Sequence, residues 1–263
     1  MTAARNHHLE VEGVGPVEVM VAEDGTGRAF LLLHGGAGPQ SVAAFAALLA
    51  TSRPAQVITP THPGFGATSR PDSLDSIAGL AHVYTALLDR LDVQQVTVVG
   101  NSLGGWIAAE MALLASARIT GVILVDAIGI EVAGHPVADF FALTLDQVAE
   151  FSYHDPNRFR IDPTSMSEAQ RAVVAGNRSS LAAYGGHSMT DPSLRGRLGN
   201  ITAPTLVLWG ESDQIVDPEY GRSYAAAIPG AAFTLLTATG HMPQLETPER
   251  LLTPVWTFAE ATA

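Results

Sequence analysis

Short β-branched apolar runs alternate along this chain with longer Ala/Leu-rich stretches. Continuous apolar runs bounded by turn residues predict strands buried on both faces, and the longer stretches predict helices that cover them. Together they read as a mostly parallel sheet between helical layers. Strands are predicted over His8–Glu12, Val17–Ala22, Ala29–His34, Gln56–Thr59, Val96–Gly100, Gly121–Asp126, Thr205–Trp209 and Ala232–Leu236. The first two are expected to be antiparallel, because only a short Gly-Pro turn separates them. Helices are predicted over Val42–Ala50, Leu74–Leu91, Leu103–Ala117, Glu219–Ala227 and Pro248–Ala261. The last opens on Thr247-Pro248-Glu249, a cap residue followed by proline at the first helical position.

The stretch 129–199 breaks this rhythm. It lacks a β-branched apolar run and holds many of the polar and aromatic residues. Helices are predicted within it over Asp146–Phe151 and Ser167–Tyr184. The expectation is a core built from residues 1–128 and 200–263, interrupted by a helical insertion over 129–199. A decorative role is the plain alternative. A lid over a pocket is preferred, because functional loops gather at the C-terminal ends of strands in open α/β sheets.

Composition narrows the class. The 263 residues suffice for one large α/β domain with an insertion, and a hydrophobic fraction of 47% allows a sizeable core. A net charge of −12 argues against nucleic acid and against an anionic membrane surface. With no cysteine there is no disulfide framework and no thiolate chemistry. The N-terminal stretch from Met1 to His8 lacks an apolar signal core, and no apolar run is long enough to span a bilayer. The expected protein is soluble and cytoplasmic, a monomer or homodimer acting on a small molecule.

Candidate chemistry centres on Gly100-Asn101-Ser102-Leu103-Gly104, between the apolar run Val96–Val99 and a predicted helix. A serine flanked by glycines at a strand-to-helix turn is the signature of a nucleophile elbow. The helix start puts backbone N–H groups where negative charge develops on a substrate oxygen. A serine needs a base within reach. His241, in the loop after the last predicted strand, stands at the same sheet edge as Ser102 and is preferred over the other eight histidines. The base in turn needs an acid to fix its tautomer. Asp213, in the acidic loop after Leu206–Trp209, is preferred. Glu211 is the immediate competitor, and Asp126, at the end of an earlier strand, is a second alternative. Asp217 precedes Pro218 and reads as a helix cap.

The glycines after Phe30–His34 permit a close backbone approach to a ligand. One oxyanion donor is assigned to the N–H of Gly36 and the other to that of Leu103, with His34 a scaffold residue beneath the loop. Trp106, Phe140, Phe141, Phe151, Tyr153 and Tyr184 are possible pocket-lining residues, although any one of them could be ordinary core.

These segments resemble the α/β-hydrolase fold. The matches are His34-Gly35-Gly36, His62-Pro63-Gly64-Phe65-Gly66, the elbow through Gly105, Gly210-Glu211-Ser212-Asp213, and Gly240-His241 with Glu246-Thr247-Pro248-Glu249. They span nearly the whole chain in order. The resemblance implies an eight-stranded, mostly parallel sheet flanked by helices with a helical cap, and a Ser102–His241–Asp213 triad that needs no cofactor. No His-Glu-x-x-His or clustered His/Asp set supports a metal, and the Gly-rich loop lacks the lysine of a phosphate-binding loop. Dehalogenases and epoxide hydrolases of this fold use an aspartate where Ser102 stands.

Asn101 before the serine is similar to the meta-cleavage-product hydrolases, which cleave carbon–carbon bonds in ring-opened aromatics. In those enzymes a cap arginine meets a substrate carboxylate, and Arg178 falls at that position; a surface salt bridge is its plain alternative. Their usual tryptophan after the histidine is replaced here by Met242. The leading expectation is a serine hydrolase cleaving a small carboxylic ester through an acyl-enzyme, with Asn101, Arg178, Trp106 and Met242 as substrate contacts. Carbon–carbon hydrolysis is the alternative, and a non-catalytic small-molecule receptor of the same fold is a third.

Overall fold

A computed structural model describes residues 4–262. The expectation about a signal core therefore falls partly on residues 1–3, outside the described residues. Eight strands form one sheet: β1 (Arg5–Val11), β2 (Gly15–Gly25), β3 (Arg28–Leu33), β4 (Ala55–Pro60), β5 (Val96–Asn101), β6 (Ile119–Val125), β7 (Thr205–Gly210) and β8 (Ala232–Leu236). Their spatial order is β1-β2-β4-β3-β5-β6-β7-β8. As expected, β1 and β2 are antiparallel. β2 also runs antiparallel to β4, and every later pairing is parallel.

Alternation along the strands divides the interior in two, because successive side chains point to opposite faces. Leu31, Leu33, Val98, Val122, Leu124, Val207 and Trp209 meet α2 (Ile77–Leu91), α3 (Leu103–Leu113) and α8 (Pro218–Ala227). Phe30, Leu32, Val99, Ile123, Val125, Leu206 and Leu208 meet α1 (Gln40–Ser52) and α10 (Pro248–Ala261). Both faces are covered, which explains why these strands read as continuous apolar runs.

Most predicted boundaries move by one to four residues, and at two helices the cause is visible. α2 starts later than Leu74, because Ser76 takes an extended conformation and its side chain accepts the N–H of Gly79. α3 stops before Ala117, where Ala115 turns to a φ of 51°. Asp217 caps α8 as expected, accepting the N–H groups of Glu219 and Tyr220 at 3.0 Å each. Thr247 precedes α10 without a side-chain cap. Its hydroxyl instead bonds that of Thr239 at 2.9 Å.

Between β6 and β7 lie α4 (Leu145–Ser152), α5 (Pro156–Phe159), α6 (Glu168–Gly185) and α7 (Leu194–Arg197). The sequence anticipates α4 and α6. Both open with capping boxes, Thr144 with Gln147 and Ser167 with Gln170. The segment's only β pairing among the described residues is a single bridge between Gly129 and Thr190. Among the described residues, no helix is long and apolar enough to cross a membrane.

Candidate active site

Ser102 stands between the end of β5 and the start of α3 with φ 55° and ψ −116°. A serine in that region stores roughly 1–3 kcal/mol of strain, which the surroundings must hold. They do so through close packing of backbone. A Cβ at Gly100 would lie 2.0 Å from Gly104 O, and one at Gly104 would lie 2.3 Å from Leu33 O. The N–H of Ser102 donates to Val125 O at 2.9 Å, and its own carbonyl accepts from Gly105 and Trp106. Ser102 thus stands at a tight strand-to-helix turn.

His241 and Asp213 meet where expected. His241 Nδ1–H donates to Asp213 Oδ2 at 2.7 Å, and both residues are buried. Asp213 Oδ1 accepts from the backbone of Ile215 (2.8 Å) and Val216 (3.1 Å), which fixes the carboxylate. The bond to Nδ1 leaves Nε2 as the nitrogen available to a hydroxyl. Ser102 and His241 line one cavity. The Ser102 hydroxyl makes no hydrogen bond among the described residues. Glu211, the competitor, instead accepts the N–H of Ala238 at 3.0 Å. Asp126, the second alternative, is fully buried and lies beside Asp213. These two carboxyls and His241 bring one donor atom each within 4.8 Å of one another.

Asn101 lines the cavity, but its side chain is engaged inward. Its Nδ2 donates to His241 O at 2.9 Å and Val125 O at 3.3 Å, while its Oδ1 accepts from Gln244 Nε2 at 3.0 Å. Asn101 therefore holds the histidine's backbone, and the expected contact with substrate is not what its amide makes here. Nothing in the sequence points to this contact with Gln244.

Gly36 lines the same cavity, and Leu103 is the first residue of α3, where the N–H has no intrahelical partner. Beneath the Gly36 loop, His34 and His62 stack with ring centroids 3.7 Å apart. His34 Nδ1–H donates to Gly35 O at 2.7 Å, and its Nε2 accepts the N–H of His62 at 3.1 Å. His62 Nε2–H donates to His34 O at 2.8 Å, and its Nδ1 accepts from the Tyr84 hydroxyl. Both imidazoles are neutral scaffold groups. Burial lowers the pKa of His34 to about 4 and takes that of His62 well below the usual value.

The cavity at Ser102 has a volume of about 110 Å³ and apolar walls from Ile128, Val137, Phe140, Val148, Leu181 and Ile215. A second cavity of about 180 Å³ adjoins it, sharing Gly36, Phe140, Val148 and Met242, and carries Tyr153 and Arg178 in its wall. The remaining expected lining residues fall elsewhere. Trp106 is buried on α3, a helix enclosed on nearly all sides, against Gly129 and Gly185. Tyr184 donates its hydroxyl to Pro63 O at 2.9 Å and stacks on Phe65. Phe141 packs on Phe140 and His187, and Phe151 is absent from both walls. Arg178 makes no salt bridge among the described residues. Its guanidinium lies over the rings of Phe140 and Phe141 and donates to both their carbonyls.

The fold agrees with comparison to known proteins. Residues 30–253 match the model of the Alpha/beta hydrolase family, and the chain belongs to that family. It is 28% identical to a 2-hydroxymuconate semialdehyde hydrolase of Pseudomonas putida, over 92% of this chain and 90% of the relative. It is also 28% identical to a 2-hydroxy-6-oxononadienedioate/2-hydroxy-6-oxononatrienedioate hydrolase of Paraburkholderia phymatum, over 94% and 93% of the two chains. Among solved structures, a thermophilic esterase from Thermogutta terrifontis superposes with a TM-score of 0.79 at 22% identity, covering 98% of this chain and 99% of that one. A meta-cleavage product hydrolase from Pseudomonas fluorescens does so with a TM-score of 0.74 at 20% identity, covering 98% of each.

Proposed function

We propose that this chain is a serine hydrolase that cleaves a small carboxylic ester through an acyl-enzyme. The observation that carries this reading is the His241 Nδ1–Asp213 Oδ2 bond of 2.7 Å, beside a cavity whose wall also holds the strained Ser102. Asp213 holds the imidazole in the tautomer that leaves Nε2 basic. On substrate binding, Ser102 Oγ attacks the carbonyl carbon while His241 Nε2 takes its proton through a hydrogen bond formed in the loaded site. The N–H groups of Gly36 and Leu103 receive the oxyanion. His241 then protonates the leaving alcohol, and water deacylates Ser102 by the same relay.

Residues 129–199 act in this reading as a cap over a core of residues 1–128 and 200–263. Support comes from the walls of both cavities, which draw on Phe140, Val148 and Ser152 of that segment. The apolar walls suit a small, uncharged acyl group.

Carbon–carbon hydrolysis of a ring-opened, vinylogous diketo acid is the second reading. The names of the two relatives favour it, as does Arg178, a cation without a carboxylate partner among the described residues in the adjoining cavity. Turnover of p-nitrophenyl esters of graded chain length and of a ring-opened vinylogous diketo acid by wild type, Ser102→Ala and Arg178→Ala tests both readings. Ester turnover that requires Ser102 and survives loss of Arg178 supports the first. Selective loss of acidic substrates in Arg178→Ala supports the second. Undiminished turnover by Ser102→Ala refutes both.

A further inference from the structure

Asp126 is a buried acid that the mechanism above does not use. It follows β6 directly with a φ of 46°, a left-handed conformation uncommon outside glycine. Its N–H donates to Leu208 O at 3.0 Å, and its Oδ1 accepts the N–H of Gly210 at 2.7 Å. These bonds tie the end of β6 to the end of β7, three residues before Asp213. The side chain is fully buried, and its Oδ2 has no donor facing it. What faces Asp126 is Asp213, with His241 beyond, the three contributing donor atoms within 4.8 Å of one another.

A carboxylate oxygen is only an acceptor, and Asp213 as an anion is only an acceptor too. Two such groups in contact away from water repel, and each lacks a donor. One proton between them removes both problems, because a protonated carboxyl donates. Asp213 is the better anion. It receives the N–H groups of Ile215 and Val216 and the imidazole N–H, whereas Asp126 receives one N–H. The proton therefore resides on Asp126. Charge balance agrees: two anions beside the neutral imidazole of the resting site would put −2 in a buried cluster, whereas a neutral Asp126 leaves −1, which is cancelled when His241 takes the Ser102 proton. Burial first, and then the charge of Asp213, push the Asp126 pKa well above the usual carboxylate range, and the Gly210 N–H opposes them.

We propose that Asp126 is a positioning residue: it stands as a neutral carboxylic acid whose O–H donates to Asp213 and holds that carboxylate against His241. The inference rests on reading Asp213 as the orienting acid. It requires no metal and no added group, since the proton is donated in a hydrogen bond and not transferred.

Asparagine is the neutral analogue of such an acid, accepting from Gly210 N–H through its oxygen and donating to Asp213 through its amide. Alanine supplies neither contact. The test combines an infrared difference spectrum, wild type minus Asp126→Asn at neutral pH, with the esterase kinetics of Asp126→Asn and Asp126→Ala. The expected spectrum shows the carbonyl stretch of one protonated carboxyl present in wild type and missing from the variant. The expected kcat falls about 10–100-fold in Asp126→Ala, the scale of one lost hydrogen bond to a charged group, and Asp126→Asn recovers most of it. A difference spectrum with an ionised carboxylate band in place of the protonated one overturns the proposal. So does an Asp126→Asn enzyme as impaired as Asp126→Ala. The spectroscopic arm reads out without turnover, so failure of the hydrolase reading leaves it decisive.

Discussion

The backbone N–H of His241 donates to the carbonyl of Ser152 at 2.7 Å. The proposed base is therefore held by the last turn of α4, in the segment between β6 and β7. The same helix end binds the loop of the proposed acid: Gln214 N–H donates to Phe151 O at 2.9 Å, and His154 Nδ1 bonds Ser212 Oγ at 2.8 Å. Gly240 lets the two backbones approach. A Cβ there would lie 2.2 Å from Ser152 O and 2.7 Å from Tyr153 Cα. Gly240→Ala is expected to destabilise the fold by about 1–3 kcal/mol, as forced overpacking does. It should also lower kcat through displacement of His241. Urea unfolding and ester hydrolysis measure both, and a fully active variant would show that the contact does not position the base.

Asn177 makes a comparable link on α6. Its Oδ1 accepts the N–H of Gly66 at 2.8 Å, and its Nδ2 donates to Ala37 O at 3.4 Å, beside the loop assigned to the oxyanion. Ser180 and Tyr184, on the same helix face, bond Gly64 O and Pro63 O. Asn177→Ala is expected to remove the side-chain tie to the Gly66 N–H, at about 1 kcal/mol of stability. If the Gly36 loop loosens as a result, kcat falls while KM changes little, which steady-state kinetics will show.

Glu110 of α3 is buried and meets the Arg197 guanidinium through both oxygens, at 2.6 and 2.7 Å. Arg197 also pairs with Asp191 at 2.7 Å. Its own side chain is partly solvated, so the whole value of a buried pair does not apply. Arg197→Ala should nevertheless cost about 2 kcal/mol, because it strands a buried carboxylate. Adding Glu110→Leu should recover much of the loss. Denaturant titration of the single and double variants checks this, and equal stability of the two would contradict it.

His34 predicts a pH dependence of stability. Its folded pKa of about 4 lies below the ordinary 6.5. As pH falls through that window the unfolded chain binds a proton and the folded chain does not. The stabilisation is complete above pH 6.5 and is lost progressively toward pH 4, in total about 3 kcal/mol at 1.36 kcal/mol per unit. His62 acts in the same direction. Urea midpoints at about pH 7 and about pH 4.5 should differ accordingly, and His34→Gln should flatten the difference. A variant with the wild-type slope would refute this origin.

All eight strands were legible in the sequence; in the central ones burial on both faces leaves unbroken runs such as Leu31–Leu33 and Val122–Val125. Single-turn helices such as Pro156–Phe159 and Pro243–Glu246 were not, since they are too short to show a period. The elbow and the His241–Asp213 contact followed from loops at one sheet edge. The backbone support did not. Ser152 acts through its carbonyl, which carries no side-chain signature, and Asn101 and Gln244 act through a contact that joins residues 143 positions apart. Trp106 misled because α3 is apolar at nearly every position, Glu110 apart, so its pattern does not say which way the ring points.

The central claim is that Ser102 carries the acyl group. Intact-protein mass spectrometry after rapid acid quench with a p-nitrophenyl ester tests it most directly, using wild type and Ser102→Ala. The account predicts a mass increase equal to the acyl group in wild type, mapped by peptide digestion to Ser102, and none in the variant. Turnover of the ester with no adduct on Ser102, or an equal adduct in Ser102→Ala, would contradict it.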